Sequence, residues 1–231
     1  MDETVLIRTE HLTRHFGMGA RTVRALDNVD TTIAAGEFLA VMGPSGSGKS
    51  TLLYLLGGLD RPTDGRIWVN GQEIGALDEA ALAAYRMQVI GFVFQSFHLI
   101  PTMTAVENVM FPMLFAQVPA DERKARAASL LESVGLGDRL DHKPTELSGG
   151  QQQRVAVARS LANDPSILLA DEPTGNLDTQ MGAEIMSLLE KLNRDEGRTV
   201  VVVSHDRGVT DYATRTLYLR DGRVDPRTEV L

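Results

Sequence analysis

The chain has 231 residues, 43% of them hydrophobic, which is enough for one large packed domain and argues against a disordered chain. Its net charge of −8, from 23 basic and 31 acidic residues, argues against a nucleic-acid-binding protein, which usually presents a basic face. Because the chain has no cysteine, disulfides and thiolate metal sites are excluded.

The first part of the chain predicts strands that alternate with helical segments. We expect strands over residues 4–10, 38–42, 66–70 and 90–94, and a helix over 49–56. The second of these strands reads FLAVM, and a strand that is apolar throughout is expected to be buried on both faces.

The middle of the chain predicts helices. Residues 104–134 have a helical pattern that breaks at Val118-Pro119, and a further helix is expected to begin near Gly149. The second helix of this stretch is expected to bury one apolar stripe, formed by Ala125, Ala128, Leu130, Leu131 and Val134. The longest apolar stretches, such as the one at 109–118, are too short to cross a bilayer, and the N-terminal residues lack a signal-peptide core.

The strand and helix alternation then returns. We expect buried parallel strands over 166–170 and 199–204, a helix near 180–194, and a closing hairpin in TLYLRDGRV. These elements predict an α/β core from about 1–95 and 164–231, interrupted by a helical insertion from about 96–163.

The segment GPSGSGKST at 43–51 fits the phosphate-loop pattern G-x-x-x-x-G-K-[ST], between a predicted strand and a predicted helix. Its glycines let the backbone turn N–H groups onto phosphate oxygens, and the helix N-terminus favours the same anion. Lys49 is expected to contact the β- and γ-phosphates, and the Ser50 hydroxyl to bind Mg²⁺. The alternative is a glycine-rich turn that binds nothing. The loop alone does not separate a kinase, a switch GTPase and a motor ATPase, although no guanine-reading N-K-x-D segment is present.

A pair of acids ends the predicted strand in SILLADEP. Carboxylates at the carboxyl end of such a strand face the crevice in which α/β proteins bind ligands. Asp171 is expected to hold Mg²⁺, and Glu172 to orient and deprotonate an attacking water. The alternative is a turn with two solvated acids.

A second anion site is predicted in LSGGQQQRVAVARSLA at 147–162. Ser148, Gly149 and Gly150 open a helix whose first N–H groups are free to bind an anion. The alternative is an ordinary capped helix. A protein rarely needs two phosphate-binding helix N-termini to bind one nucleotide, so a second such site requires an explanation.

This last segment resembles the signature of the ATP-binding cassette (ABC) ATPases, and the resemblance extends over about residues 5–225. The motifs follow the order of that family: GPSGSGKST, Gln95 in FVFQS, LSGGQ, LLADEP, GNLD, and His205 in VVVSHD. The fold that the resemblance implies is an α/β P-loop NTPase core with a mostly parallel sheet, an N-terminal antiparallel β element and a helical insertion subdomain.

The resemblance implies a head-to-tail dimer, in which ATP lies between the phosphate loop of one copy and the signature helix of the other. Gln95 would then contact Mg²⁺ and the attacking water, His205 the γ-phosphate, and Asp178 would couple the two sites. The expected ATP contacts are Phe16, Gly43, Pro44, Ser45, Gly46, Ser47, Gly48, Lys49, Ser50, Thr51, Ser148, Gly149, Gly150, Gln151 and Asp178. The expected catalytic residues are Glu172, His205, Lys49 and Gln95, and the expected metal ligands are Ser50, Gln95 and Asp171.

Phe16 departs mildly from the family, which usually stacks a tyrosine on adenine at this position. Phenylalanine offers the same aromatic face, so base binding is expected to survive. The alternative is that Phe16 packs in the core. Val23 is a further candidate to flank the base.

Within the family, segments such as LLYLLGGLDRPTDG look similar to the group of macrolide exporters, lipoprotein-release systems and the cell-division cassette. This similarity implies an ATPase subunit that drives export or lipid extraction through a separate membrane-spanning permease, at the cytoplasmic face of the cell membrane. Two alternatives stay open: a mechanical or regulatory ATPase that transports nothing, and an amino-acid importer subunit. Because the chain ends at Leu231, soon after the last predicted strand, we expect neither a regulatory nor a fused membrane domain.

Apolar residues near Gln95 predict a surface for the membrane partner. Some of them are expected to line a groove for a short coupling helix, and the others to pack inside the helical insertion. The candidates are Phe97, Leu99, Ile100, Phe111 and Phe115.

Overall fold

A computed structural model describes residues 4–18 and 21–226, and in this part of the chain ten strands form two sheets. The smaller sheet is antiparallel, with the order β2-β1-β4-β5. Its strands are β1 (Val5–Met18), β2 (Arg21–Ala34), β4 (Asp64–Val69) and β5 (Gln72–Glu73). Asn70 and Gly71, with φ of 52° and 75°, make the tight turn between the last two strands. The expected N-terminal antiparallel element is confirmed.

The larger sheet has the order β10-β9-β3-β8-β7-β6, and only the pairing of β10 with β9 is antiparallel. Its strands are β3 (Phe38–Met42), β6 (Ile90–Phe94), β7 (Ile167–Asp171), β8 (Thr199–Ser204), β9 (Arg215–Arg220) and β10 (Arg223–Val224). Every residue of β3, β7 and β8 is buried, as expected for central strands between layers of helices. The predicted parallel strands and the closing hairpin are confirmed.

Six α-helices accompany these sheets in the described part of the chain. They are α1 (Lys49–Leu56), α2 (Glu79–Val89), α3 (Ala105–Phe115), α4 (Ala120–Ser133), α5 (Gly149–Ser160) and α6 (Thr179–Glu196). The predicted break at Val118-Pro119 separates α3 from α4, and α5 begins at Gly149 as expected. Within residues 4–18 and 21–226, no helix combines the length and the apolar character that a membrane span requires.

Helices α3, α4 and α5 share a hydrophobic cluster of their own, to which Val109, Leu131 and Val155 contribute. The buried face of α4 differs from the predicted stripe, because Ala127 is fully buried whereas Ala125 is exposed. Ala127 lies four residues before Leu131 and therefore one helical turn away on the same face. The division of the chain at residues 96 and 163 stays a prediction.

The parallel sheet brings several of the predicted site residues to one edge. In the strand register, Asp171 at the end of β7 aligns with Phe94 in β6 and with Val203 in β8. Ser204, the last residue of β8, aligns with Met42 of β3. The residues that follow these four strands therefore meet at the carboxyl edge of the sheet, where open α/β proteins bind ligands.

Candidate functional site

The loop after β3 has a backbone that only glycine adopts easily. Gly43 and Gly48 have φ of 152° and 99°, in the region that favours glycine. A Cβ atom on Gly43 would lie 2.2 Å from the carbonyl oxygen of Leu219, and one on Gly48 would lie 2.2 Å from that of Ala25. Gly43 and Gly48 of the predicted phosphate loop are thus required by the close approach of neighbouring backbone.

Lys49 is a buried cation, with 7% of its surface exposed. Its Nζ donates hydrogen bonds to the carbonyl oxygens of Gly43, at 2.9 Å, and Pro44, at 3.1 Å. No carboxylate in the described ranges lies within ion-pair distance of it. The buried Ser47 hydroxyl also lacks a hydrogen-bond partner among the described residues. An anion at the loop would therefore compensate the lysine charge and satisfy polar groups that are now unpaired.

Asp171 is the buried carboxylate of the site. Ser50 Oγ donates to its Oδ1 and Tyr54 Oη donates to its Oδ2, both at 2.8 Å. Burial, followed by the hydrogen bond and the charge of Asp171, raises the pKa of Tyr54 to about 12. The sequence motifs do not point to Tyr54, although it lies one helical turn after Ser50 and therefore on the same face of α1.

Glu172 and His205, which are 33 residues apart in the chain, lie together at the sheet edge. Both carboxylate oxygens of Glu172 are 2.9 Å from His205 Nδ1, and the Ser204 hydroxyl donates to Oε2 at 3.3 Å. The backbone of Glu172 has a φ of 48°, which is unusual for a residue with a side chain. The fold holds this residue in a strained conformation that aims its carboxylate, which is typical of a functional residue.

Gln95 follows β6 and packs against the loop after Glu172. Asn176 Nδ2 donates to the backbone oxygen of Gln95 at 3.0 Å, and the two side-chain amides meet at 3.4 Å. Gln153, to which no sequence motif points, is fully buried and donates to the carbonyl oxygens of Phe94 and Pro173. Helix α5 is thereby tied to the residues next to both Gln95 and Glu172.

Ser148 and Asp178 both cap helices. The Ser148 hydroxyl accepts from Gln151 N at 3.3 Å while Gln151 Oε1 accepts from Ser148 N at 2.9 Å, which forms a capping box. Asp178 Oδ1 accepts from Met181 N at 2.9 Å. The capping bonds leave the N–H groups of Gly149 and Gly150 without helical partners. In the described residues, no hydrogen bond or ion pair joins residues 148–151 to the phosphate loop.

Phe16 lies on the surface, so the alternative that it packs in the core is wrong. It is 38% exposed and pairs across the strands with Val23, which is 44% exposed. The guanidinium carbon of Arg14 lies 4.5 Å from the centre of the Phe16 ring. The two apolar side chains therefore form an exposed platform near the start of the chain.

A groove lies next to α3, and two of the five candidate residues line it. Phe111 and Phe115 line it, whereas Phe97, Leu99 and Ile100 do not. Leu99 packs against the cluster of α3, α4 and α5 instead.

Comparison with known proteins gives a consistent result. A family model described as "ABC transporter" matches residues 26–175. An uncharacterized ABC transporter ATP-binding protein of Thermotoga maritima is 54% identical over 210 residues, which cover 91% of this chain and 89% of that protein. A protein of the same description from Methanocaldococcus jannaschii is 49% identical over 224 residues, which cover 95% of each chain.

A third relative is longer than this chain. It is the macrolide export ATP-binding/permease protein MacB of Hyphomonas neptunium, 50% identical over 219 residues. The match covers 95% of this chain and 34% of that protein, so the chain spans about a third of it.

A solved structure matches nearly the whole chain. It is a dimeric, post-hydrolysis state of an ATP-binding cassette bound to ADP and Pi, and it superposes with a TM-score of 0.91 at 47% identity. The match covers 98% of this chain and 99% of that one.

Proposed function

Because the chain belongs to the ABC transporter family and is an ATPase, we propose that two copies close head to tail around two ATP molecules and drive a separate membrane-spanning partner. The observation that carries the proposal is the division of the site within one chain. The phosphate loop, Asp171, Glu172 and His205 converge at one sheet edge, while Ser148 caps a helix that makes no hydrogen bond to that loop in the described residues. Two separate half-sites are what a shared nucleotide requires, and the dimeric cassette with ADP and Pi supports the same arrangement.

The roles of the residues follow from their surroundings. Lys49 and the loop N–H groups bind the β- and γ-phosphates, since Lys49 has no counter-ion among the described residues and a helix N-terminus favours an anion. Glu172 accepts a proton from water, whose oxygen bonds to the γ-phosphorus as the bond to the bridging oxygen of ADP breaks. His205, which contacts the Glu172 carboxylate, fixes its orientation and approaches the γ-phosphate. The second copy contributes Ser148, Gly149 and Gly150.

The residues of the site fit Mg²⁺. Ser50 Oγ and Asp171 Oδ1 are two possible oxygen ligands of the ion and lie 2.8 Å apart. Gln95 adds an amide oxygen at the same sheet edge. Within the described ranges, no three His, Cys, Asp or Glu side chains gather into a metal cluster. This suits an ion that takes few protein ligands and completes its shell with phosphate oxygens and water. Bound with ATP, Mg²⁺ supplies positive charge to the phosphate oxygens.

The adenine base is proposed to stack on Phe16. Its exposed ring, with Val23 beside it, offers an apolar face at the surface of the antiparallel sheet. Aromatic faces bind bases by stacking without reading their edges, which suits a site in which the phosphates supply most of the contacts.

The partner is proposed to be a permease whose short helix enters the groove lined by Phe111 and Phe115. The chain would then sit at the cytoplasmic face of the membrane and be held there by that partner. The relative named for macrolide export carries its ATP-binding and permease functions in one protein, which favours export or lipid extraction as the driven process. Cargo movement in proteoliposomes that contain both subunits tests this step, and ATP turnover without movement would favour a mechanical role.

Glu172→Gln tests the shared site and the base together. The variant should lose ATP turnover by a factor of at least about 100, because a neutral amide does not accept the proton of the attacking water. It should still form a dimer with ATP, since the phosphate contacts remain. Light scattering after size exclusion measures the dimer, and Glu190→Gln on α6 is the matched control. Turnover at the wild-type rate would contradict the assignment of the base.

A further inference from the structure

The groove next to Phe111 is apolar but carries two positive charges. It has a volume of about 850 Å³ and lies between α2, β6, α3 and the end of α5. Phe92 and Phe94 line it from the sheet, and Phe111 and Phe115 line it from α3. Its charged lining residues are Arg86 and Arg159, and no Asp or Glu of the described ranges lines it. In a chain with a net charge of −8, this surface has the opposite sign to the whole molecule.

Neither arginine is neutralised within the described part of the chain. Arg86 donates to the carbonyl oxygen of Gly58 at 2.6 Å, and Arg159 donates to those of Phe97, at 2.7 Å, and His98, at 2.5 Å. In residues 4–18 and 21–226, no carboxylate lies within ion-pair distance of either guanidinium. Burial lowers the pKa of Arg159. A guanidinium has five N–H donors, so its carbonyl contacts leave donors open to a further acceptor.

Resting on the proposed function, we propose that the groove binds a short helix of the membrane partner that carries an Asp or Glu on its apolar face, and that this carboxylate pairs with Arg159. The apolar walls fit the hydrophobic face of an amphipathic helix, which is the usual occupant of such a groove. A carboxylate is the acceptor that a guanidinium binds most favourably, through two parallel hydrogen bonds. Pairing also gives a partly desolvated cation the counter-charge that the described part of the chain does not provide.

The same guanidinium connects the groove to the nucleotide site. The carbonyl groups that it holds belong to Phe97 and His98, which have φ of 52° and 50° and follow directly after Gln95 and Ser96. Two consecutive left-handed residues are a strained turn that persists only while its surroundings hold it. A partner carboxylate on Arg159 would therefore act on the contact that fixes the chain just after Gln95.

The test uses synthetic helical peptides as probes. The peptides share one apolar face and carry Glu, Gln or Lys at a single position, which is moved along that face from one series to the next. Fluorescence anisotropy with the full chain measures the affinities. In one series the Glu peptide should bind about tenfold more tightly than its Gln counterpart, and the Lys peptide more weakly than both. The advantage of Glu should shrink as salt is raised.

Three variants assign the effect to one arginine. Arg159→Gln should remove the preference for Glu, whereas Arg86→Gln, the matched change in the same groove, should keep it. Arg159→Glu should reverse the preference towards the Lys peptide, a gain that a damaged fold does not produce. Circular dichroism of each variant checks the fold.

Several outcomes would overturn the inference. Equal affinity for Glu and Gln peptides in every series would show that the groove does not bind a partner carboxylate. A preference for Glu that survives Arg159→Gln would show that Arg159 does not bind it. Concentration-dependent self-association that Arg159→Gln abolishes would assign the groove to a second copy instead. None of these outcomes would contradict the proposed ATP site shared by two copies, because the ATP-dependent dimer of Glu172→Gln is measured in the absence of any peptide.

Discussion

Two buried charged side chains define the site at the scale of single residues. Lys49 lies under the phosphate loop with two carbonyl oxygens as partners, and Asp171 accepts hydrogen bonds from Ser50 and Tyr54. Burying a charge is costly unless other groups compensate it. The lysine lacks a counter-ion within the described residues, whereas the aspartate is already oriented by two hydroxyl groups. The two side chains are therefore tested by different substitutions, Lys49→Ala for the lysine and Tyr54→Phe for the orientation of the aspartate.

Lys49→Ala should weaken ATP binding. The variant loses a charge-assisted contact to phosphate, which contributes roughly 1.5–3 kcal/mol and corresponds to about ten- to a hundredfold in affinity. Isothermal calorimetry with ATP and Mg²⁺ measures this change. Lys191→Ala removes an exposed lysine of α6 and should leave the affinity unchanged. Equal affinities for the Lys49 variant and the wild type would contradict the role of the loop.

Tyr54→Phe should shift the Mg²⁺ dependence of ATP hydrolysis. Without the tyrosine hydroxyl, the carboxylate of Asp171 loses one of the two donors that fix its orientation. The Mg²⁺ concentration for half-maximal turnover should rise by about threefold or more, since one such hydrogen bond contributes about 1 kcal/mol.

Tyr85→Phe is the matched control for this change. Tyr85 is buried, and its hydroxyl donates to the Leu56 carbonyl oxygen at 2.7 Å, away from Asp171. Both variants should lose about 1 kcal/mol of stability, but the Tyr85 variant should keep the Mg²⁺ dependence of the wild type. An identical Mg²⁺ titration for Tyr54→Phe would show that the tyrosine is only structural.

At the scale of elements, the site depends on the junction between a buried strand and a helix. The loop between β3 and α1 turns the backbone so tightly that Gly48 faces the carbonyl oxygen of Ala25 in β2. Gly46 has a φ of 78°, but apart from its two chain neighbours no described residue has a heavy atom within 4 Å of the position that a Cβ would occupy there. A substitution at Gly46 therefore tests backbone strain alone, whereas a substitution at Gly48 tests backbone strain together with steric contact.

Gly48→Ala should destabilise the fold more than Gly46→Ala. A left-handed φ alone costs alanine about 1 kcal/mol, whereas a contact of 2.2 Å with backbone also displaces β2. We expect losses of about 1 kcal/mol for the Gly46 variant and about 3 kcal/mol for the Gly48 variant. Urea unfolding followed by circular dichroism measures both. Equal losses would mean that β2 does not constrain the loop.

The elements that the sequence predicts well are those with a strong apolar signal. FLAVM, the ILLA part of SILLA, and TVVVVS lie in buried strands as expected, because continuous apolar runs between turn signals have few other solutions. Strand β2 is not predicted, because its buried residues Leu26, Val29 and Ile33 are spaced by three and four. Register shifts in its pairing with β1 interrupt the alternation that marks a strand. Helix α2 is not predicted either, because it buries few apolar side chains along its length.

The site is predicted in a similar way, through motifs rather than contacts. Lys49, Asp171 and Glu172 are predicted because phosphate chemistry requires such residues at strand ends, whereas His205 is predicted only through the resemblance to the ABC ATPases. The roles of Gln153 and Tyr54 depend on which backbone or carboxylate group the fold places beside them, so the sequence does not reveal them. Asn176 belongs to the same class, because its contact with Gln95 joins segments that are distant in the sequence.

At the scale of the whole molecule, the proposed dimer requires each chain to present half of each of two sites, and the groove has the opposite charge to the chain as a whole. The phosphate-loop half lies at the sheet edge, and the half at residues 148–151 lies at the start of α5. The groove lies beside the turn after Gln95, which Arg159 of α5 contacts, and Gln153 of α5 donates to the carbonyl oxygen of Phe94, just before Gln95. A single helix therefore links the proposed contact to the second copy, the catalytic edge and the proposed partner surface.

The central claim is that each ATP is held by residues of two copies, and mixing two inactive variants tests it most directly. Lys49→Ala disables the phosphate-loop half, and Ser148→Arg blocks the other half while still binding ATP as a monomer. In a mixed dimer one site receives both defects and the other receives none. The account predicts ATP hydrolysis on mixing that neither variant shows alone. A mixture with no more activity than the sum of its parts would contradict it.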